Sequence, residues 1–77
     1  MTEAIDFELE GDCVELNQLL KLAGLCDSGG AGKALVAGGQ VRVDGQVELR
    51  KTCKIRHGQQ VECQGLSIRV LADPARR

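Results

Sequence analysis

The chain has 77 residues, of which 43% are hydrophobic and 27% charged, an ordinary composition for a soluble globular domain. A chain this short buries only about 60% of the surface that it exposes when unfolded, so a large core and a deep substrate cleft do not fit in it together. No apolar run approaches the ~20 residues of a membrane span. The acidic amino terminus also lacks the basic and apolar plan of a signal peptide, so we expect a cytoplasmic, single-domain protein.

The formal net charge is −1, but acidic and basic residues are unevenly distributed. Residues 1–15 hold six of the eleven acids and no base, which leaves five acids and all ten bases for the rest of the chain. The segment 42–56 alone contains five bases and two acids. This asymmetry predicts a surface that faces a polyanion, opposed by an acidic edge. An ordinary mixed surface is the alternative, and charge alone does not decide between them.

A strand is predicted near the amino terminus. Apolar and acidic residues alternate over residues 5–10, which is the period of a half-buried strand with Ile5, Phe7 and Leu9 inward. Gly11 ends it.

Two helices are predicted next. Asp12, followed three residues later by Glu15, has the spacing of a capping box at the start of helix one. Gly24 suits the left-handed position that ends it. Ser28 is the predicted cap of helix two, and Gly38 and Gly39 end that helix. The predicted buried side of helix one comprises Leu16, Leu19, Leu20 and Ala23, and that of helix two Ala31, Ala34 and Leu35.

The carboxyl-terminal half alternates like strands joined by tight turns. Asp44-Gly45 between two alternating runs is the strongest short hairpin signal, because a type I′ turn needs a positive φ at both central residues. His57-Gly58 and Gln64-Gly65 predict two further turns. The fold class is therefore α+β, a two-helix hairpin packed on a small antiparallel sheet. We expect an acidic strand in residues 1–11, the main part of the domain in 12–71 and a flexible tail in 72–77.

No catalytic constellation is visible, so we do not expect an enzyme. The glycine-rich run 28–33 is not a phosphate loop, since Asp27 and Ala34 stand where that motif needs Gly and Ser or Thr. Two interpretations of this run stay open: the first N–H groups of helix two bind a phosphate, or the glycines only permit close helix packing. The single histidine, His57, is expected in a solvated turn without a catalytic role.

Four cysteines, at positions 13, 26, 53 and 63, raise the question of disulfides and metals. In the cytosol thiols stay reduced, and the cysteines lack the close pairs of a zinc site. Packing thiols are the favoured interpretation, with no metal and no cofactor.

Phe7 is the sole aromatic residue, so a platform for stacking single-stranded bases cannot be built. If the chain binds nucleic acid, it must recognise phosphates, sugar hydroxyls and overall shape, which favours structured RNA.

The run 15–63 resembles the S4-type RNA-binding domain, also called the alpha-L motif. The resemblance is carried by Leu16 and Leu20, Gly24-Leu25, Ser28, the small-residue helix through Val36, the segment Gly39–Gly45, Lys54-Ile55 and Gly58–Val61. The segment Gly39–Gly45 reads Gly-Gln-Val-Arg-Val-Asp-Gly, close to the family's Gly-x-Val-x-Val-(Asn or Asp)-Gly. Two departures are Glu15 and Gly29, at positions where the family often has Arg.

The resemblance implies a stand-alone bacterial RNA-binding module that docks ribosomal or transfer RNA. Our hypothesis is a monomer that binds phosphates through one basic face without reading sequence. Glu15, Gly29 and the acidic first strand favour a second hypothesis, a protein-interaction module that has kept the fold without RNA binding. The expected RNA-binding residues are Lys21, Ser28, Lys33, Arg42, Arg50, Lys51 and Lys54.

Overall fold

The structure is a computed structural model that describes residues 3–72, so most of the tail predicted at 72–77 lies outside the described residues. Within this range the chain forms two helices and seven strands. Their bounds are β1 Glu3–Glu8, β2 Cys13–Glu15, α1 Leu16–Leu22, α2 Gly29–Ala37, β3 Val41–Val43, β4 Gln46–Val47, β5 Lys54–Arg56, β6 Gln60–Cys63 and β7 Leu66–Leu71. The α+β prediction of two helices packed on a small antiparallel sheet is confirmed, although one strand pair of the sheet is parallel.

Five strands make the main sheet, in the order β1-β7-β6-β3-β4, and β2 pairs with β5 in a separate two-stranded ladder. The pairs of the main sheet are antiparallel except that β1 runs parallel to β7. The Asp44-Gly45 hairpin has the predicted turn chemistry, since φ is positive at both residues, and the predicted turn at Gln64-Gly65 also has positive φ at both residues. Val41, Val61 and Ile68 are fully buried on these strands.

The predicted start of helix one is wrong. Asp12 does not cap a helix, because residues 13–15 form β2 and pair with β5 instead. The helix begins at Leu16, and Glu15 makes no side-chain cap bond to it. The N–H groups of Leu16 and Asn17 donate to the carbonyls of Cys53 and Lys51, at 2.8 and 3.2 Å. Long-range backbone bonds therefore replace the local capping box that the sequence suggests.

Both helices end in the predicted way. Gly24 and Gly39 follow the last turns with φ of 86° and 75°. The N–H of Leu25 donates to the Leu20 carbonyl and that of Gln40 to the Leu35 carbonyl, which completes a Schellman motif at each end. The predicted Ser28 cap of α2 is also present, because its Oγ accepts the Ala31 N–H at 3.1 Å.

The two helices touch at a glycine. On α2, Gly32 and Val36 are buried, whereas Ala31 and Ala34 are exposed and Leu35 is half-buried, so the predicted buried side is rotated. A Cβ placed on Gly32 would lie 2.5 Å from the main-chain oxygen of Asn17. The helix backbones are thus closer at this point than alanine would allow, and the register of α2 against α1 follows from this contact. Leu16, Leu19 and Leu20 fill the core beneath it.

Replacing Gly32 with alanine is therefore expected to destabilise the fold by about 1–3 kcal/mol, the usual cost of forcing extra volume into a packed interior. Gly30→Ala is the matched control in the same helix. Its Cβ would meet nothing closer than Ser28 Oγ at 3.8 Å, and removing a helical glycine should stabilise by about 0.5–1 kcal/mol. Urea denaturation followed by circular dichroism measures both, and equal stability of the two variants would contradict the close contact.

Candidate nucleic-acid interface

A shallow open groove of about 830 Å³ gathers five basic side chains. We call it the basic groove, and it is lined by Lys33, Leu49, Arg50, Lys51, Thr52, Cys53, Lys54 and Arg56. All five cations are exposed. Four of the seven predicted RNA-binding residues are therefore brought to one place, although Lys33 comes from α2 and the others lie about twenty residues further along the chain.

Strand β5 aims two of these cations. Ile55 is fully buried, so the alternation of side chains along the strand turns Lys54 and Arg56 outward together. Arg56 is absent from the predicted site although it belongs to the basic run of residues 42–56. The period-two pattern Lys-Ile-Arg is the signal that could have found it, because an apolar residue between two bases places both bases on one face.

Backbone bonds hold the loop that precedes β5. The N–H groups at the start of α1 bind the carbonyls of Lys51 and Cys53, and the Glu48 N–H binds the Val41 carbonyl at 3.0 Å. A further turn bond joins the Cys53 N–H to the Arg50 carbonyl. Because these bonds use main-chain atoms, they do not involve the side chains of Arg50 and Lys51, both of which line the groove.

One carboxylate moderates the positive charge. Glu48 accepts bonds from the Arg50 main-chain N–H at 3.0 Å and from its Nε and Nη2, both at 3.1 Å. The Glu48 side chain is 17% exposed and that of Arg50 is 78% exposed. The bonds from Arg50 lower the pKa of Glu48 from its usual 4.5 to about 2. The arginine is thus oriented by its partner while most of its side chain remains exposed to solvent.

Three predicted site residues lie outside the groove lining. Lys21 is exposed in the last turn of α1. Arg42 lies on β3 and lines a separate depression. Glu62 lies opposite it on β6 and partly offsets the positive charge of Arg42. Ser28 caps α2 and does not line the groove.

The two residues that depart from the family pattern have clear surroundings. Glu15 pairs with Lys54 across the β2–β5 ladder, so it places a carboxylate next to a groove cation. A Cβ on Gly29 would lie 2.7 Å from Gln18 Nε2, so the Gln18 amide occupies the space that a larger residue would need. Substitution of Glu15 would therefore alter the border of the groove, and substitution of Gly29 would alter the contact between the helices.

The cysteine thiols are neither paired in disulfides nor activated. All four cysteines are free, and burial raises the pKa of the Cys53 and Cys63 thiols, which makes them less reactive. His57 is exposed beside Gly58, and its Nδ1 accepts the Ala72 N–H at 2.8 Å. Within residues 3–72, no three His, Cys, Asp or Glu side chains are close enough together to hold a metal ion.

A model of the S4 domain matches residues 7–71. The chain belongs to the S4 domain family. YbcJ of Escherichia coli strain K12 is 54% identical over 59 residues, which cover 77% of this chain and 84% of the relative. An uncharacterized protein YbcJ of Shigella flexneri matches to the same extent. The solution structure of E. coli YbcJ, whose alpha-L motif is described as involved in RNA binding, superposes with a TM-score of 0.69 at 48% identity. That match covers 94% of this chain and 92% of the other.

Membership of this family confirms the resemblance inferred from the motif at residues 39–45. Neither helix in the described part of the chain has the length and apolar character needed to cross a lipid bilayer.

The Glu48–Arg50 pair predicts a pH dependence of stability. A carboxylate whose pKa is depressed in the folded state stabilises fully above its unfolded pKa, here about 4.5, and loses that effect as pH falls towards 2. Wild type should therefore exceed Glu48→Gln in unfolding free energy at pH 6, and the difference should shrink between pH 4.5 and 2. Denaturation at a series of pH values measures this, and a pH-independent difference would contradict the pairing.

Proposed function

We propose that the protein binds structured RNA, ribosomal or transfer RNA in particular, by docking phosphates into the basic groove, and that it is not an enzyme. The observation that carries the proposal is the convergence of Lys33, Arg50, Lys51, Lys54 and Arg56 on one open groove. The described RNA-binding alpha-L motif of its structural relative supports the same ligand class. An RNA ligand would place the protein in the cytoplasm, where the four thiols stay reduced.

The chemistry of the groove favours phosphates over bases. Lysine and arginine side chains neutralise phosphate charge and position a nucleic acid without reading its sequence. No aromatic side chain lines the groove, and Phe7, the sole aromatic residue of the chain, lines a different pocket. Stacking of unpaired bases is therefore unsupported, and the backbone of a folded RNA, with its 2′-hydroxyls, is the better ligand.

The loop geometry supports preorganised binding. Glu48 fixes the direction of the Arg50 guanidinium, and the α1 amides fix the backbone of Lys51 and Cys53 before any ligand arrives. A preorganised site loses less conformational entropy when the ligand binds. We further propose that Ser28, Lys21 and Arg42, which lie outside the groove, contribute less to RNA affinity than the groove cations.

Salt dependence tests this function. Three to five phosphate contacts predict that log affinity falls against log salt with a slope of about −2 to −4.5. Lys51→Gln combined with Lys54→Gln should weaken binding to a stem-loop RNA and flatten the slope by about 1.4 to 1.8, since two contacts are lost. Filter binding at several salt concentrations measures both quantities.

Lys21→Gln combined with Arg42→Gln is the matched control, because it removes the same charge outside the groove. It should change the slope much less. An equal effect of the two double variants, or an unchanged affinity for both, would contradict the groove as the site, and the absence of saturable binding by the wild-type chain would contradict RNA binding itself. A single-stranded RNA of the same length should bind more weakly than the stem-loop.

A further inference from the structure

The first fifteen residues present a surface with six carboxylates and no basic side chain of their own. We call it the acidic face, and its members are Glu3, Asp6, Glu8, Glu10, Asp12 and Glu15. All six are exposed. Asp6 is paired with Arg69 at 3.0 Å, and Glu15 lies opposite Lys54 across the β2–β5 ladder, so the charges of these two carboxylates are partly offset. Phosphates are repelled by such a surface, so its ligand is not a nucleic acid.

An apolar pocket opens within this face. It has a volume of about 330 Å³ and lies between β1, the turn at Gly11, β2 and the last turn of α1. Phe7 and Val14 are half-buried in its wall, and Leu22 is 60% exposed at its rim. A single exposed leucine is ordinary on a protein surface. A leucine that is exposed at the rim of an apolar pocket is typical of a contact site, because the two together form a larger apolar patch.

The outer edge of β1 borders the same region. β1 is an end strand of the main sheet, with β7 as its neighbour there. The N–H groups of Glu3 and Leu9 donate towards β7, to the carbonyls of Gly65 and Leu71. Because successive N–H groups of a strand point in opposite directions, those of Ala4, Asp6 and Glu8 point away from β7. An extended segment of another protein could pair with this edge.

We propose that the apolar pocket and the outer edge of β1 together bind an extended basic segment of another protein. An apolar side chain of that segment lies against Leu22 and Phe7, and its Lys or Arg side chains, which alternate to the other face of the added strand, lie beside Asp6 and Glu8. Charge complementarity selects this occupant: an acidic strand would be repelled by the face, a neutral strand would lack the electrostatic attraction, and the charges that keep β1 from pairing with like strands attract a basic one. The site is distinct from the basic groove and does not depend on RNA binding.

The test uses the full chain labelled with 15N and a seven-residue peptide in which leucine alternates with lysine, blocked at both ends. Saturable shift changes are expected at the amides of residues 4–8 and at Leu22. Leu22→Gln should weaken binding about tenfold, the effect of leaving one leucine-sized contact in water. Leu49→Gln is the matched control, since Leu49 is 61% exposed but lies in the basic groove, and it should leave the affinity unchanged.

Glu8→Lys should also weaken peptide binding and reduce its salt dependence, while a peptide with glutamate in place of lysine should not bind. Leu22 and Glu8 are both exposed, so they can be changed without disturbing the core, and unchanged spectra of the free variants verify this. Shift changes confined to the basic groove, equal binding of the glutamate peptide, or no saturation would overturn the proposal. A dimer of the free chain that Leu22→Gln dissociates would also overturn it, by assigning the face to a second copy.

Discussion

The bonds between the first amides of α1 and the carbonyls of Lys51 and Cys53 are the constraint on which the rest of the structure depends. A helix start has N–H groups that need partners, and here a loop thirty-odd residues further along the chain supplies them. One set of bonds thereby ends β2, starts the helix and fixes the basic loop. The close contact at Gly32 then sets α2 against α1, so Lys33 reaches the groove through the same chain of contacts.

Asn17 lies at the centre of this junction. Its main-chain N–H binds the loop, its oxygen faces Gly32, and its Nδ2 donates to the Gly29 carbonyl at 3.4 Å. The residue is 2% exposed, and its Oδ1 has no hydrogen-bond partner among residues 3–72. A buried polar atom without a hydrogen-bond partner costs stability. The junction is thus polar at a point where the neighbouring Leu16, Leu19 and Leu20 are purely apolar.

The features that could be predicted from the sequence are those whose interacting residues are close together along the chain. The turns at Asp44-Gly45 and Gln64-Gly65 and the glycine helix ends were predictable, because their φ angles are decided by adjacent residues. The start of α1 was not, because Cys13–Glu15 pair with β5, a partner that no local pattern reveals. The gathering of Lys33 with Arg50, Lys51 and Lys54 was a hypothesis that the uneven charge distribution suggested, because no local pattern brings α2 next to the later loop. Arg56 could have been added from the alternation in Lys54-Ile55-Arg56, since Ile55 faces the core.

The parallel pairing of β1 with β7 has a consequence for how the protein forms. Glu3 lies opposite Leu66 and Glu8 opposite Leu71, so this ladder closes a loop of nearly the whole domain. Contacts between distant residues form slowly, because the chain loses much entropy before they stabilise it. The helices, the hairpins and the basic loop contain no residue of β1, so they can assemble first. During synthesis β1 must therefore wait, unpaired and kept soluble by its carboxylates, until the last strand has been made.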